Sequence, residues 1–103
     1  MSDLPATSRQ ILSCVTSGGK LQLTIGDTPV VAPGDAEVVV RIEASPINPS
    51  DLGLLLGMAD IPKAQTVGEN HVEADVPANV LPLLKARFDE AMPVGNEGSG
   101  VVV

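Results

Sequence analysis

Glu37-Val38-Val39-Val40-Arg41-Ile42-Glu43-Ala44 runs directly into Ser45-Pro46-Ile47-Asn48-Pro49-Ser50-Asp51-Leu52, and the reading of this junction decides the fold. The first eight residues alternate with a period of two and are rich in β-branched side chains, which predicts a strand. Val38, Val40, Ile42 and Ala44 fall on one face, and Glu37, Val39, Arg41 and Glu43 on the other. Pro46 and Pro49 remove ladder donors and end it. Ser50 is placed to cap a short helix over Asp51–Met58, with Asp51 favourable to the helix dipole in the first turn. Gly53 weakens that helix and Gly57 ends it. A polar elbow at the end of an apolar strand is a common place for a binding or catalytic site.

Upstream, Arg9 to Thr16 alternates weakly, with Ile11, Ser13 and Val15 on one side and Leu12 and Cys14 on the other. Ser17-Gly18-Gly19-Lys20 is a turn signal, and Leu21, Leu23 and Ile25 alternate with polar residues or glycine beyond it, which predicts a hairpin. Asp27 to Asp35, with Pro29, Pro33 and Gly34, is expected to be a loop.

Downstream, Ala59 to Val76 shows no clear periodicity and carries Asp60, Glu69, Glu73 and Asp75. Its length predicts a mobile loop, disordered in isolation or closing over a cleft. Val80, Leu83, Leu84 and Phe88 recur near helical spacing, so Asn79–Ala91 is expected to be a helix with Pro82 in its first turn. Pro93-Val94-Gly95-Asn96-Glu97-Gly98-Ser99-Gly100 forms a second polar elbow and leads into a final strand, Val101-Val102-Val103. The run of valines at the end suggests a piece of a longer protein; a terminal strand pinned into a sheet is the other reading.

With 103 residues the chain suits one domain with a modest core. Apolar residues make up 44% and charged ones 18%, which favours a folded state, and Phe88 is the only aromatic, so the core must be aliphatic. The net charge of −7 argues against nucleic acid and against an anionic membrane surface as partners. Cys14 stands alone, excluding an internal disulfide, and Met1–Gln10, with Asp3, lacks the apolar run of a signal peptide. A cytoplasmic protein is expected.

Several chemistries fail on spacing. A dinucleotide fingerprint must follow a strand and open a helix, whereas Gly95–Gly100 is misspaced and opens a valine strand. His71 with Glu69 and Glu73 makes a weak zinc set without a second His or a Cys. Cys14 has no basic neighbour to activate it, and Ser99 lacks the closing glycine of a nucleophile elbow. Asn48, Ser50, Asp51, Asn96 and Glu97 remain. Spacing alone allows the first elbow to be no more than a turn with its cap.

The order of these features resembles the N-terminal, GroES-like domain of the medium-chain dehydrogenase/reductase superfamily, in particular its zinc-free quinone oxidoreductase (zeta-crystallin-like) branch. The resemblance rests on the hairpin over 9–28, Pro33-Gly34, Glu37–Ala44, Ile47-Asn48-Pro49-Ser50-Asp51 and Gly95-Asn96-Glu97-Gly98-Ser99-Gly100-Val101-Val102. It covers most of the chain and is weakest over 59–92, a stretch longer than the family usually has. It implies a mainly β fold, a partly open barrel with short helices, in a chain that stops before a Rossmann domain.

Zinc-dependent members place a cysteine where Asn48 stands and a histidine where Asn96 stands, so no catalytic zinc is implied. The implied activity is NADPH-dependent reduction of quinones or activated enones by a homo-oligomeric parent, the cofactor being held mainly by a domain outside these residues. Asn48 would face nicotinamide and substrate, Asp51 would brace the elbow from the helix start, and Asn96 with Glu97 would line the cleft. Ser50 completes the expected substrate- and cofactor-binding set; no residue is assigned a covalent role. The alternative from another class is a stand-alone GroES-like binding or assembly module.

Overall fold

The turn at Thr16–Lys20 closes on two backbone hydrogen bonds, Thr16 N–H to the Lys20 carbonyl at 2.8 Å and Gly19 N–H to the Thr16 carbonyl at 3.0 Å. Gly19 takes φ +90° there, a conformation that costs glycine little. The turn joins β1 (Thr7–Val15) to β2 (Lys20–Pro29) in an antiparallel ladder running from Val15 opposite Leu21 to Thr7 opposite Pro29. The computed structural model describes residues 4–103, so Asp3 lies outside the described residues. β2 therefore extends through Asp27–Pro29, expected to be loop; Pro29 is tolerated because it is the last strand residue.

The expected mobile loop over 59–76 is instead ordered. A 3-10 turn at Ile61–Lys63 leads into β4 (Gln65–Gly68), which turns back as β5 (His71–Asp75) alongside β2. The sheet order is β4-β5-β2-β1-β6, where β6 (Met92–Pro93) pairs with Leu12 and Ser13. Lys20 and Asp75, opposite each other in the ladder, form an ion pair that raises the lysine pKa. Its contribution is present below the ordinary lysine pKa and fades as pH rises through the raised value; both groups are exposed, so solvent screens it.

The expected helix over Asn79–Ala91 is a 3-10 helix at Leu81–Arg87. A period of three brings Leu81, Leu84 and Arg87 to the inner side and leaves Pro82, Leu83, Lys85 and Ala86 exposed. Asp89 then adopts φ +61°, a region open to aspartate, donates its N–H to the Val15 carbonyl at 2.8 Å and accepts from Ser17 N–H at 3.1 Å.

Buried Val15, Leu21, Ala74 and Val76 form a core at this end of the sheet, covered by Leu23, Val80, Leu81, Leu84 and Phe88.

The opposite end is different. β3 (Val40–Ala44) and β7 (Ser99–Val102) form a separate two-stranded antiparallel ribbon. β3 begins three residues later than its alternation predicts. Glu37 closes a turn instead, accepting the Gly34 N–H at 2.8 Å through its carboxylate. Every residue of both ribbon strands is exposed. The protein is mainly β, in antiparallel sheets that form no closed barrel among the described residues. Its accessible surface is 7321 Å², against about 5,400 Å² for a compact monomer of this mass. The radius of gyration of 15.9 Å likewise exceeds the roughly 13 Å expected of a compact chain. Among the described residues no helix is long and apolar enough to cross a membrane.

Candidate functional site

Helix α1 (Pro49–Leu56) is capped by Asn48, not by Ser50. Proline at the first helical position needs no donor and fixes the entry angle, which moves the cap back to Asn48. Asp51, three residues on, reaches back with its carboxylate to accept the Asn48 backbone N–H at 2.9 Å, the reciprocal half of a capping box. Asp51 is 9% exposed, so the elbow's chief restraint is sheltered from water. Gly57 ends the helix in the left-handed region, its N–H bonded to the Gly53 carbonyl at 3.1 Å. A side chain at Gly57 would press 3.2 Å from the Val15 methyl, so glycine also permits the close approach of α1 to the core.

Asp51→Ala is expected to cost about 1 kcal/mol of stability by removing this restraint and the favourable charge at the helix start. Asp51→Asn, which keeps an acceptor, should cost less. Urea unfolding measures both.

The second elbow comes back to the first. Asn48 donates its side-chain amide to the Glu97 carboxylate at 3.3 Å, linking positions 49 residues apart. Glu97 also lines a cleft of about 700 Å³. One wall is the exposed first half of β1, Ser8 to Ile11; others come from Ser45–Ile47 with Ile42, from Asp51, Leu52 and Leu55 of α1, and from Pro93–Gly98. Asp51, Asn96 and Glu97 thus border the cleft directly, while Asn48 does not line it and is tied to it only through Glu97. Ser50 is exposed on the first turn of α1 and does not line the cleft. Isoleucines, leucines, a valine and prolines supply about half of the lining residues. Arg9 brings a cation to the rim and Asp51 and Glu97 bring carboxylates.

Two groups escape sequence reasoning. Arg9 and Ile11 belong to the cleft although they read only as strand residues. Ser13, expected to share a face with Val15, is fully buried with it, and its hydroxyl lies 2.9 Å from the Leu55 carbonyl and 3.1 Å from that of Leu54. Arg87 completes this arrangement, one guanidinium nitrogen donating to the Leu54 carbonyl at 2.9 Å and the other to the Ser13 hydroxyl at 3.0 Å. A serine alternating with apolar residues in a strand was the available signal; its arginine, 74 residues away, had none.

His71 and Glu73 sit on β5 with 3.2 Å between imidazole Nε2 and carboxylate, and Gln22 donates to the same carboxylate at 2.9 Å. Among the described residues, no group of three or more His, Cys, Asp or Glu side chains could hold a metal. Cys14 is a free, half-buried thiol opposite Gln22. No protein-family model matches the chain, and no curated protein matches it significantly.

Proposed function

We propose that the chain is the N-terminal, substrate-side GroES-like domain of a zinc-independent, NADPH-dependent oxidoreductase that reduces quinones or activated enones by hydride transfer. The observation that carries this reading is the convergence of the two elbows, Asn48 on Glu97, beside a largely apolar cleft that Glu97 lines. A flat, largely apolar acceptor suits walls of Ile11, Ile42, Leu52, Leu55 and Val94 with a few polar groups to orient it. The possible donors around the cleft are hard carboxylates and amides, without thiol or imidazole, a set poorly matched to zinc.

On this reading the cleft would take only the nicotinamide end of the cofactor. Gly95–Gly100 leads into a strand, and the start of α1 already faces the Asp51 carboxylate, so neither offers a phosphate cradle. The phosphates therefore need a separate nucleotide-binding domain. When bound, NADPH would supply the hydride. The chain's own part is to orient the acceptor, exclude water with its aliphatic walls, and offer the Asn96 amide as a hydrogen-bonding group beside Glu97, which Asn48 holds in place.

The test is NADPH oxidation with a quinone acceptor by protein comprising this chain and its nucleotide-binding domain. Activity without stoichiometric zinc is expected, and Asn48→Ala should lower kcat/KM by roughly 10²-fold through loss of positioning. Strict zinc dependence, or no NADPH binding at all, sinks the reading. The latter result would favour a stand-alone binding or assembly module, which the exposed β3–β7 ribbon also suits.

A further inference from the structure

We infer that the free edge of β3 is a self-association surface, on which a second copy of this chain pairs antiparallel about a two-fold axis centred on Ile42. The inference goes beyond the proposed activity and does not depend on it.

Among the described residues the ribbon has two strands, so β3 has β7 on one side and an open edge on the other. The hydrogen-bond phase fixes which groups face that open side. Val103 N–H donates to the Val39 carbonyl at 2.9 Å, and the register places Val40 opposite Val102 and Arg41 opposite Val101. Antiparallel ladders alternate bonded and non-bonded pairs. Val39 and Arg41 therefore turn their backbone groups toward β7, and Val40 and Ile42 turn theirs to the open edge. A two-fold axis at Ile42 lets each Ile42 N–H donate to the other's carbonyl. A residue facing β7 could not do this.

The side chains at this register are self-complementary. Arg41 and Glu43 share a face, 3.9 Å apart within one copy. In the two-fold pairing each Arg41 stands opposite the other copy's Glu43, and Val40 stands opposite Ala44. Opposite charges across strands stabilise and like charges destabilise. The net charge of −7 opposes indiscriminate association, so a locally neutral, charge-alternating strand is the favourable place for two copies to meet. β7, Ser99-Gly100-Val101-Val102, carries no charge to set a register. Ile42 is 58% exposed and Val40 39%, and the accessible surface exceeds that of a compact monomer by about 1,900 Å², more than the roughly 800 Å² per partner a standard interface removes. The register shift after Ile42 keeps the paired segment short, which predicts a weak, concentration-dependent dimer.

Sedimentation equilibrium on the chain at about 0.15 M salt, where screening over roughly 8 Å mutes the net repulsion, tests this. The mass should rise with concentration from 10.5 kDa toward twice that value. Arg41→Glu or Glu43→Arg alone should weaken association about tenfold, and the double exchange should restore it. Mixing the two single variants should give a heterodimer stronger than either homodimer. In the unsubstituted chain, the Val40 and Ile42 amides should gain protection from hydrogen exchange as concentration rises, while the Arg41 amide is protected throughout. A mass that stays at one copy, or dimers indifferent to charge reversal, overturns the inference. Amide exchange on the unsubstituted chain decides it even where a variant fails to fold.

Discussion

Gly100→Ala is expected to abolish the β3–β7 ribbon while leaving the five-stranded sheet folded. Gly100 lies opposite Ile42, and a Cβ there would fall on the Arg41 carbonyl group, 2.7 Å from its carbon and 2.9 Å from the Ile42 Cα. These are backbone atoms of the paired strand, so no rotamer change relieves the overlap; the strands must separate. A steric conflict of this kind costs on the order of 3 kcal/mol. A ribbon with no buried residue has little to offset it, since isolated two-stranded pairs are marginal in water. Amide exchange of Arg41 and Val101 should therefore accelerate about 10²-fold, with Val15 and Leu21 unaffected. The cleft would lose the wall carrying Ile42 and Gly98, and the Asn48–Glu97 contact would open with it. Gly98→Ala should be milder, because its Cβ would press only on the Ile42 side chain, at 3.2 Å, and meet the Ala44 carbonyl at an ordinary 3.6 Å. Gly53→Ala is the opposite control. A Cβ there meets nothing within 4 Å in mid-helix, so the substitution should stabilise by about 0.5–1 kcal/mol. Unchanged ribbon protection in Gly100→Ala would mean that the chain tolerates a displaced β7.

The parts of this architecture that were legible in sequence are those governed by local chemistry. Gly18-Gly19 fixed one hairpin, period-two alternation fixed β3 though not its first residue, and Gly57 fixed the end of α1. The cap shifted by two residues because proline at position 49 outranks serine at 50: it cannot serve a position that needs its N–H, and it suits the first helical turn. The β4–β5 hairpin hid because its alternation of His71, Glu73 and Asp75 with Val72, Ala74 and Val76 uses small apolar residues and many acids, which read as loop. The segment after it was misread for a different reason. Val80, Leu84 and Phe88 fit a helical spacing, yet Leu81, Leu84 and Arg87 fit a period of three equally well, and the three-residue period prevails. Both elbows of the candidate site were visible as motifs. The first half of β1 was not, since Thr7-Ser8-Arg9-Gln10 carries no sign of facing a cleft instead of open solvent. Long-range juxtaposition has no local signature.

That limit is sharpest at Arg87, whose replacement by methionine is expected to be the most damaging change outside the ribbon. The guanidinium spans the Leu54 carbonyl and the Ser13 hydroxyl, and its Nε is buried without a partner. The carbonyls of Leu54 and Leu55 are among the last of α1, where the helix leaves acceptors unsatisfied and a positive charge is favourable. No basic residue lies in the last turn of α1 itself, so Arg87 supplies from a distant 3-10 helix what the local sequence lacks. Methionine would keep much of the packing and remove both donors, leaving the Leu54 carbonyl to the Ser13 hydroxyl alone; the expected cost is about 2–3 kcal/mol. Ser13→Ala should cost about 1–2 kcal/mol, since it strips a charged donor of a sheltered acceptor. The two act on one network, so the double variant should fall short of the sum by roughly 1 kcal/mol or more. Because the network holds the far end of the helix whose start carries Asp51 and the Asn48 elbow, both variants should also weaken the Asn48–Glu97 contact. Additive losses in urea unfolding would instead mean that Ser13 and Arg87 hold α1 independently, with the helix end satisfied by water whenever either is removed.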